Sequence, residues 1–347
     1  MTEMKRLLIA SLLFLFAAGS ASAPVADAYW LQKGSRCQPV GGPKAEAGDD
    51  KTSAVLRRDF KSPLPIAAGE KLVYEIKLSR FPIYATVGTI TFEFVGPQTS
   101  PVLEGVNVDF RPKEDDRLIR LHAEAGSKGL LVRLFNLNVN DRFETLVDAR
   151  DFGARLTFKE LEEGKRHTRQ TAVFDREHQS VKYTIVDVNK PQAPAQEKTL
   201  TVEDGTLDLL SAFYFLRLQK LKEGEVVRFP VSHDAENYPF EVVIGKREKL
   251  KTELGKFRTL KVEPKLFGPG RIFTRPGEMT MWVTDDERHT PVRLVAKTVS
   301  GTITATLVKA EGAKAEAGRK KKKAIAALYS EERPRSHELI RSAKLNE

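Results

Sequence analysis

Leu207-Asp208-Leu209-Leu210-Ser211-Ala212-Phe213-Tyr214-Phe215-Leu216-Arg217-Leu218-Gln219-Lys220-Leu221 reads as a helix in a chain otherwise made of strands. Apolar side chains fall almost all round its wheel, interrupted by Asp208, Ser211, Arg217 and Lys220. Thr206 fits the N-cap, and Asp204 and Asp208 suit the positive end of the helix dipole. Lys220 and Lys222 suit the negative end, and Gly224 can take the left-handed position that ends a helix. A surface helix keeps a polar face, so one this apolar must be nearly enveloped. Each large side chain buried in this way contributes about 1.5–3 kcal/mol.

Candidate envelopes lie on both sides of it. Leu72, Tyr74, Ile76 and Leu78 alternate with polar neighbours, as do Ile90, Phe92 and Phe94, then Val106, Val108 and Phe110. After the helix the same period returns at Phe240, Val242 and Ile244, at Val292, Leu294 and Ala296, and at Ile303, Ala305 and Leu307. Period-two alternation predicts strands with one buried and one solvated face, the habit of antiparallel sheet. Turn chemistry separates the runs at Gly96-Pro97, Glu163-Gly164, Leu254-Gly255 and Ser300-Gly301. No alternation of strands with helices is visible, which argues against a parallel sheet. The expected fold is mainly β: a strongly curved antiparallel sheet or open barrel over residues 65–310, packed around one apolar helix near 206–222.

The ends have a different character. Lys5 and Arg6, the apolar run Leu7–Ala18 and the small residues Gly19-Ser20-Ala21-Ser22-Ala23 form a secretory signal peptide over residues 1–23. The run is short of the roughly 20 apolar residues a membrane span needs. Export to a bacterial periplasm follows, with Cys37 alone leaving no intramolecular disulfide. Residues 24–64, with Gly41-Gly42-Pro43-Lys44-Ala45-Glu46-Ala47-Gly48, read as a flexible linker. Half of the formal charge of +10 falls between Lys309 and Glu347, where 11 Lys and Arg face 6 Asp and Glu. Residues 311–347 therefore read as a basic tail, with Arg319, Lys320, Lys321, Lys322 and Lys323 as its contact with anionic surfaces. At about 1 kcal/mol per cation, that contact is loose and salt-sensitive. Export and the lack of interleaved aromatics argue against nucleic acid.

Chemistry-bearing motifs are scarce. There is no Cys-x-x-Cys, His-Glu-x-x-His or Gly-x-Ser-x-Gly, and the six histidines lack ligand spacing. No catalytic residue, metal or cofactor is expected. The sharpest cluster is Met281-Trp282-Val283-Thr284-Asp285-Asp286-Glu287-Arg288-His289-Thr290-Pro291-Val292. Its carboxylates could bind a polar ligand or serve as acid and base, but turn chemistry alone accounts for it as a hairpin.

Gly69-Glu70-Lys71-Leu72-Val73-Tyr74, the helix Asp208–Arg217, Val262-Glu263-Pro264 and Trp282-Val283-Thr284-Asp285-Asp286 with Arg288 and Pro291-Val292 together resemble a bacterial family. It is the one catalogued as domain of unknown function 3108. The likeness covers roughly Pro65 to Lys309 and is strongest in the second half. It implies an exported cell-envelope protein of curved antiparallel sheet, and no activity. The leading expectation is a monomeric binding or carrier protein. Phe213, Tyr214 and Phe215, with Trp282, Asp285, Asp286 and Arg288, would line a site for a lipid-like, amphipathic ligand. The rival expectations are a structural or assembly factor without a ligand, and an enzyme using Asp285, Asp286, Arg288 or His289.

Overall fold

The computed structural model describes residues 56, 60, 63–98, 103, 106, 108–113, 116–129, 138–268, 270–271, 277–299 and 301–312. The segment read as a signal peptide, residues 1–23, and the basic run Arg319–Lys323 lie outside the described residues. Eight strands come first: β1 (Glu70–Arg80), β2 (Ile83–Gln98), β3 (Leu118–Ser127), β4 (Asn140–Asp148), β5 (Ala154–Glu163), β6 (Arg166–Asp175), β7 (Ser180–Asp187) and β8 (Gln196–Thr201). Helix α1 (Leu209–Arg217) follows, then β9 (Val226–His233), β10 (Glu236–Thr252), β11 (Gly255–Pro264), β12 (Gly277–Thr284), β13 (Pro291–Thr298) and β14 (Gly301–Glu311).

All 14 strands form one antiparallel sheet, ordered β8-β7-β6-β5-β4-β3-β2-β1-β14-β13-β12-β11-β10-β9. The first and last strands of the unit are thus neighbours at its centre, and the chain around α1 joins its two edges. Alternation does what the residue pattern requires: Leu72, Tyr74, Ile76 and Leu78 are buried, as are Ile90, Phe92 and Phe94. They share a core cluster with Leu210, Tyr214, Phe215 and Leu216 of α1 and with Val242 and Ile244 of β10.

The helix is shorter than its apolar run, and its cap is Asp208, not Thr206. The Asp208 carboxylate accepts from the backbone N–H of Ser211 at 2.9 Å and of Leu210 at 3.3 Å, while the Ser211 hydroxyl accepts from the Asp208 N–H at 2.9 Å. Thr206 is spent on the Glu203 carbonyl, to which its hydroxyl donates at 2.7 Å. Leu207 cannot be helical because its backbone bridges to β9, donating to Pro230 O and accepting from Ser232 N. At the other end Gly224 donates to Ile244 O, so its left-handed backbone serves the turn into β9. The Thr145 hydroxyl of β4 also donates to Asp208, at 2.9 Å. Asp208→Ala should therefore cost about 1–2 kcal/mol and Asp208→Asn much less, read by urea denaturation.

Three further expectations need correction. Phe60 falls within the stretch read as linker, yet it is buried against Phe152 at 5.2 Å and Phe215 at 5.8 Å. Val106, Val108 and Phe110 are not a strand. They cover the side chains of Leu118, Leu146, Leu156 and Phe158, so both faces of β4 and β5 are buried. Gly96 is a bulge inside β2 rather than a turn, at φ 103°, where a Cβ would meet Ala68 Cβ at 2.6 Å.

The edges of the sheet are not joined by a ladder, but side chains bridge them. The two-residue β9–β10 turn has Asp234 and Ala235 both at positive φ, the type I′ geometry of tight hairpins. Ala235 is buried with Ala172, Phe174, Val181 and Tyr183 of β6 and β7. Lys159 of β5 donates to Asp234 at 2.7 Å, the Tyr183 hydroxyl bonds the Ser232 hydroxyl at 2.9 Å, and Asn237 donates to Thr201 O at 2.7 Å.

Candidate functional site

One buried cation, Arg217, gathers some of the residues singled out from the sequence. Arg217 ends α1 and is 1% exposed. Its guanidinium donates to both oxygens of Glu70, at 2.7 and 3.1 Å, and Glu70 is equally buried. Its Nε donates to Arg288 O at 3.2 Å, and His289 Nδ1 lies 3.0 Å from Arg217 O, an arrangement that requires the Nδ1–H tautomer. The guanidinium also sits 5.5 Å from the Tyr214 ring centroid and 6.0 Å from that of Phe213. Burial works against the charge, but the Glu70 carboxylate outweighs it, and the Arg217 pKa rises. Burial holds the Tyr214 phenol well above its ordinary range, and its hydroxyl has no hydrogen-bond partner among the described residues.

This node gathers Phe213, Tyr214 and Arg288. Asp286 joins indirectly: it accepts from Arg288 N at 3.1 Å and from the Thr284 hydroxyl at 2.8 Å, which shapes the turn. Asp285 points elsewhere and accepts from Arg247 at 3.2 Å. Trp282 lies on the other face of β12 from buried Met281 and Val283 and donates to Glu248 at 3.0 Å. Phe215 packs on the far side of the helix against Phe60 and Phe229. The Met281–Val292 stretch is a β12–β13 hairpin, with Pro291 opening β13. Glu70 and Arg217 were not singled out as site residues. The one available signal was a lone Arg on an otherwise apolar helix face, because such a charge must be paired if buried.

A second polar cluster, absent from the sequence reading, lies at the seam between the sheet edges. Burial, reinforced by the Glu163 charge, pushes Asp141 up to about 8. Burial pushes Glu163 up to about 7, and its Oε1 lacks a hydrogen-bond partner among the described residues. Lys159 bridges His233 Nδ1 at 3.0 Å and Asp234 at 2.7 Å. Burial drives His233 down to about 3, so it is neutral. Desolvation opposes the Asp234 charge, but the Lys159 ammonium, which donates to it, pulls Asp234 down.

Access is limited. The cavity beside Asp208, Lys159 and His233 holds about 10 Å³, room for about one water molecule. A shallow depression of about 510 Å³ lies over Arg150, Asp151, Arg176 and Asp204, but its charges neutralise one another: Arg176 meets Asp151 at 2.6 Å and Asp204 at 2.7 Å. Among the described residues no three His, Cys, Asp or Glu side chains could hold a metal ion, and no helix is long and apolar enough to cross a membrane.

Comparison with known proteins adds a family and two structural likenesses. A beta-barrel-like protein of domain of unknown function DUF1849 from Brucella abortus is similar at 12% identity and a TM-score of 0.42, over 72% of this chain and 99% of that one. A putative exported protein with a YmcC-like fold from Bacteroides fragilis is similar at 8% identity and a TM-score of 0.26, over 72% and 98%. No curated protein matches the sequence. The model of one family, proteins of unknown function termed DUF3108, matches residues 102–308, well over half of the chain and including α1, Arg217 and the Asp285–Arg288 turn. The chain belongs to the DUF3108 family.

Proposed function

We propose that this protein is an exported cell-envelope scaffold, a structural or assembly factor that works through its surface and keeps no ligand in its interior. In this reading the sheet curls into an open barrel round α1, and the Arg217–Glu70 node pins the helix to the sheet centre. The observation that carries it is the fate of the helix aromatics. Phe213 stacks on Phe92 at 4.4 Å and 14°, Phe215 meets Phe60 and Phe229 edge-on, and Tyr214 is fully buried. The apolar surface that a lipid would cover is covered by the protein's own rings. Export is supported by Lys5, Arg6, Leu7–Ala18 and the small residues that follow. The run Arg319–Lys323 would add a loose, salt-screened attraction to acidic surfaces.

Native mass spectrometry of protein purified from its own periplasm tests this reading. The bare chain, without its signal peptide, is the expected mass. A stoichiometric lipid adduct that disappears on solvent extraction would overturn the scaffold and restore the carrier, with its site beside Phe213.

A further inference from the structure

Among the described residues, three large apolar side chains are left exposed: Phe81 at 85%, Tyr84 at 69% and Val299 at 64%. They are far apart in sequence and adjacent in the fold. Phe81 lies in the β1–β2 turn, Tyr84 stands at the start of β2 opposite Ser79, and Val299 lies in the β13–β14 turn. Because β1 pairs with β14 and Ser79 faces Thr302, these two hairpin tips are neighbours at one end of the sheet. They also touch: a side chain at Gly301 would meet Ser79 O at 3.0 Å and Arg80 Cβ at 3.1 Å. Cations lie at the same end of the sheet as the patch. Arg80 and Lys128 are exposed and make no ion pair with described residues, and Lys128 joins the same end by donating its backbone N–H to Val87 O. Lys297, two residues before Val299, is paired with exposed Glu278 at 3.5 Å.

From this placement we infer that the paired β1–β2 and β13–β14 tips are a membrane-docking point, seating Phe81, Tyr84 and Val299 at the headgroup–acyl boundary of an anionic bilayer. Aromatic rings with a polar rim partition to that boundary, and Arg or Lys beside them adds attraction to anionic headgroups. A protein partner fits less well. Two convex turns offering three side chains fall short of the roughly 800 Å² per partner that a stable interface buries. The inference concerns the opposite part of the molecule from the Arg217 node, and it stands whether or not the interior carries a ligand.

The test is co-flotation of the full mature chain with phosphatidylcholine–phosphatidylglycerol vesicles. It is run at ~0.1 M salt and at ~1 M, where screening lengths of about 10 and 3 Å separate contact from long-range attraction. Wild type should remain bound at the higher salt. Phe81→Ser with Tyr84→Ser and Val299→Ser should reduce that salt-resistant binding at least tenfold without moving the melting transition, since all three side chains are exposed. Independently, Phe81→Trp should shift its emission to the blue with vesicles and be quenched by brominated acyl chains. Equal flotation by wild type and triple variant would overturn the inference, as would salt-abolished binding, which belongs to the basic tail. So would a Phe81→Trp spectrum indifferent to vesicles, or a self-association lost in the triple variant without any vesicle binding.

Discussion

Arg217→Leu should cost about 3–5 kcal/mol, because it leaves the Glu70 carboxylate buried beside apolar rings with its counter-charge gone. Glu70 and Arg217 are each 1% exposed, so water cannot step in for the missing partner. Total domain stability is about 5–15 kcal/mol, and the variant is expected to be marginal at 37 °C. At roughly 2–4 °C per kcal/mol for a unit of this size, the melting temperature should drop by about 6–20 °C. The double variant Glu70→Leu with Arg217→Leu removes both charges and fills their space with carbon, so it should recover most of the loss. That recovery is what distinguishes an orphaned charge from a lost packing contact, since a buried ion pair is often worth no more than its apolar replacement. A single variant melting within about 2 °C of wild type would refute the node as a structural anchor. Recovery also has a limit: in both variants the Arg288 carbonyl loses the hydrogen bond that Arg217 Nε donates to it.

Raising the pH from 6.5 to 8.5 should destabilise the fold, and Asp141→Asn should remove much of that dependence. The sign follows from proton counting. Asp141 is pushed up to about 8 and Glu163 to about 7, whereas in the unfolded chain both titrate near 4. Between those limits the folded state holds protons that the unfolded state has released, so stability falls as pH rises through the folded values. His233 and Asp234 act oppositely and elsewhere. Both are depressed in the fold, so their contribution is present above about 6.5 and 4 respectively and is lost only as the pH drops below those values. His122 and His178, both raised above 6.5 by neighbouring carboxylates, add a decline of the same sign in this window, so the Asp141→Asn variant is what isolates the Asp141 share. Urea midpoints across it should decline for wild type and flatten for Asp141→Asn, with the variant the more stable protein at pH 8.5. A wild-type midpoint that is level across the window would show that neither carboxyl is neutral in the fold.

Both expected effects come from residues that meet across long stretches of chain, and this marks the boundary of what could be read in advance. Strands were legible because their pattern is local. Leu72, Tyr74, Ile76 and Leu78 fall on one face by the geometry of extended backbone, whatever the partner strand. The exceptions are instructive. Val106, Val108 and Phe110 alternate correctly yet form a cover, because periodicity reports an apolar face and is silent on whether hydrogen-bonded neighbours exist on both sides. Leu207 and Leu218–Leu221 continue the apolar run beyond α1, because burial among sheet side chains demands the same composition as burial in a helix. The Asp285–Asp286 turn was legible as a hairpin since Asp bonds its own nearby backbone, and Asp286 does so here.

By itself, then, the sequence determined the class of this protein: antiparallel strands, one apolar helix, a hairpin at Asp285–Thr290 and membership signals spread along the chain. Only the tertiary structure decided that Glu70 and Arg217, 147 residues apart, form one ion pair, that the β9–β10 turn tucks beneath β6 and β7, and that Phe81 and Val299 share one end of the sheet. The physical reason is the range of the forces involved. Alternation, capping and turn chemistry act over a few residues, so they are written locally. Strand order depends on which hydrogen-bonded edges meet, and any alternating strand can satisfy any other. The charges and rings brought together in this way are fixed only once the whole sheet has formed.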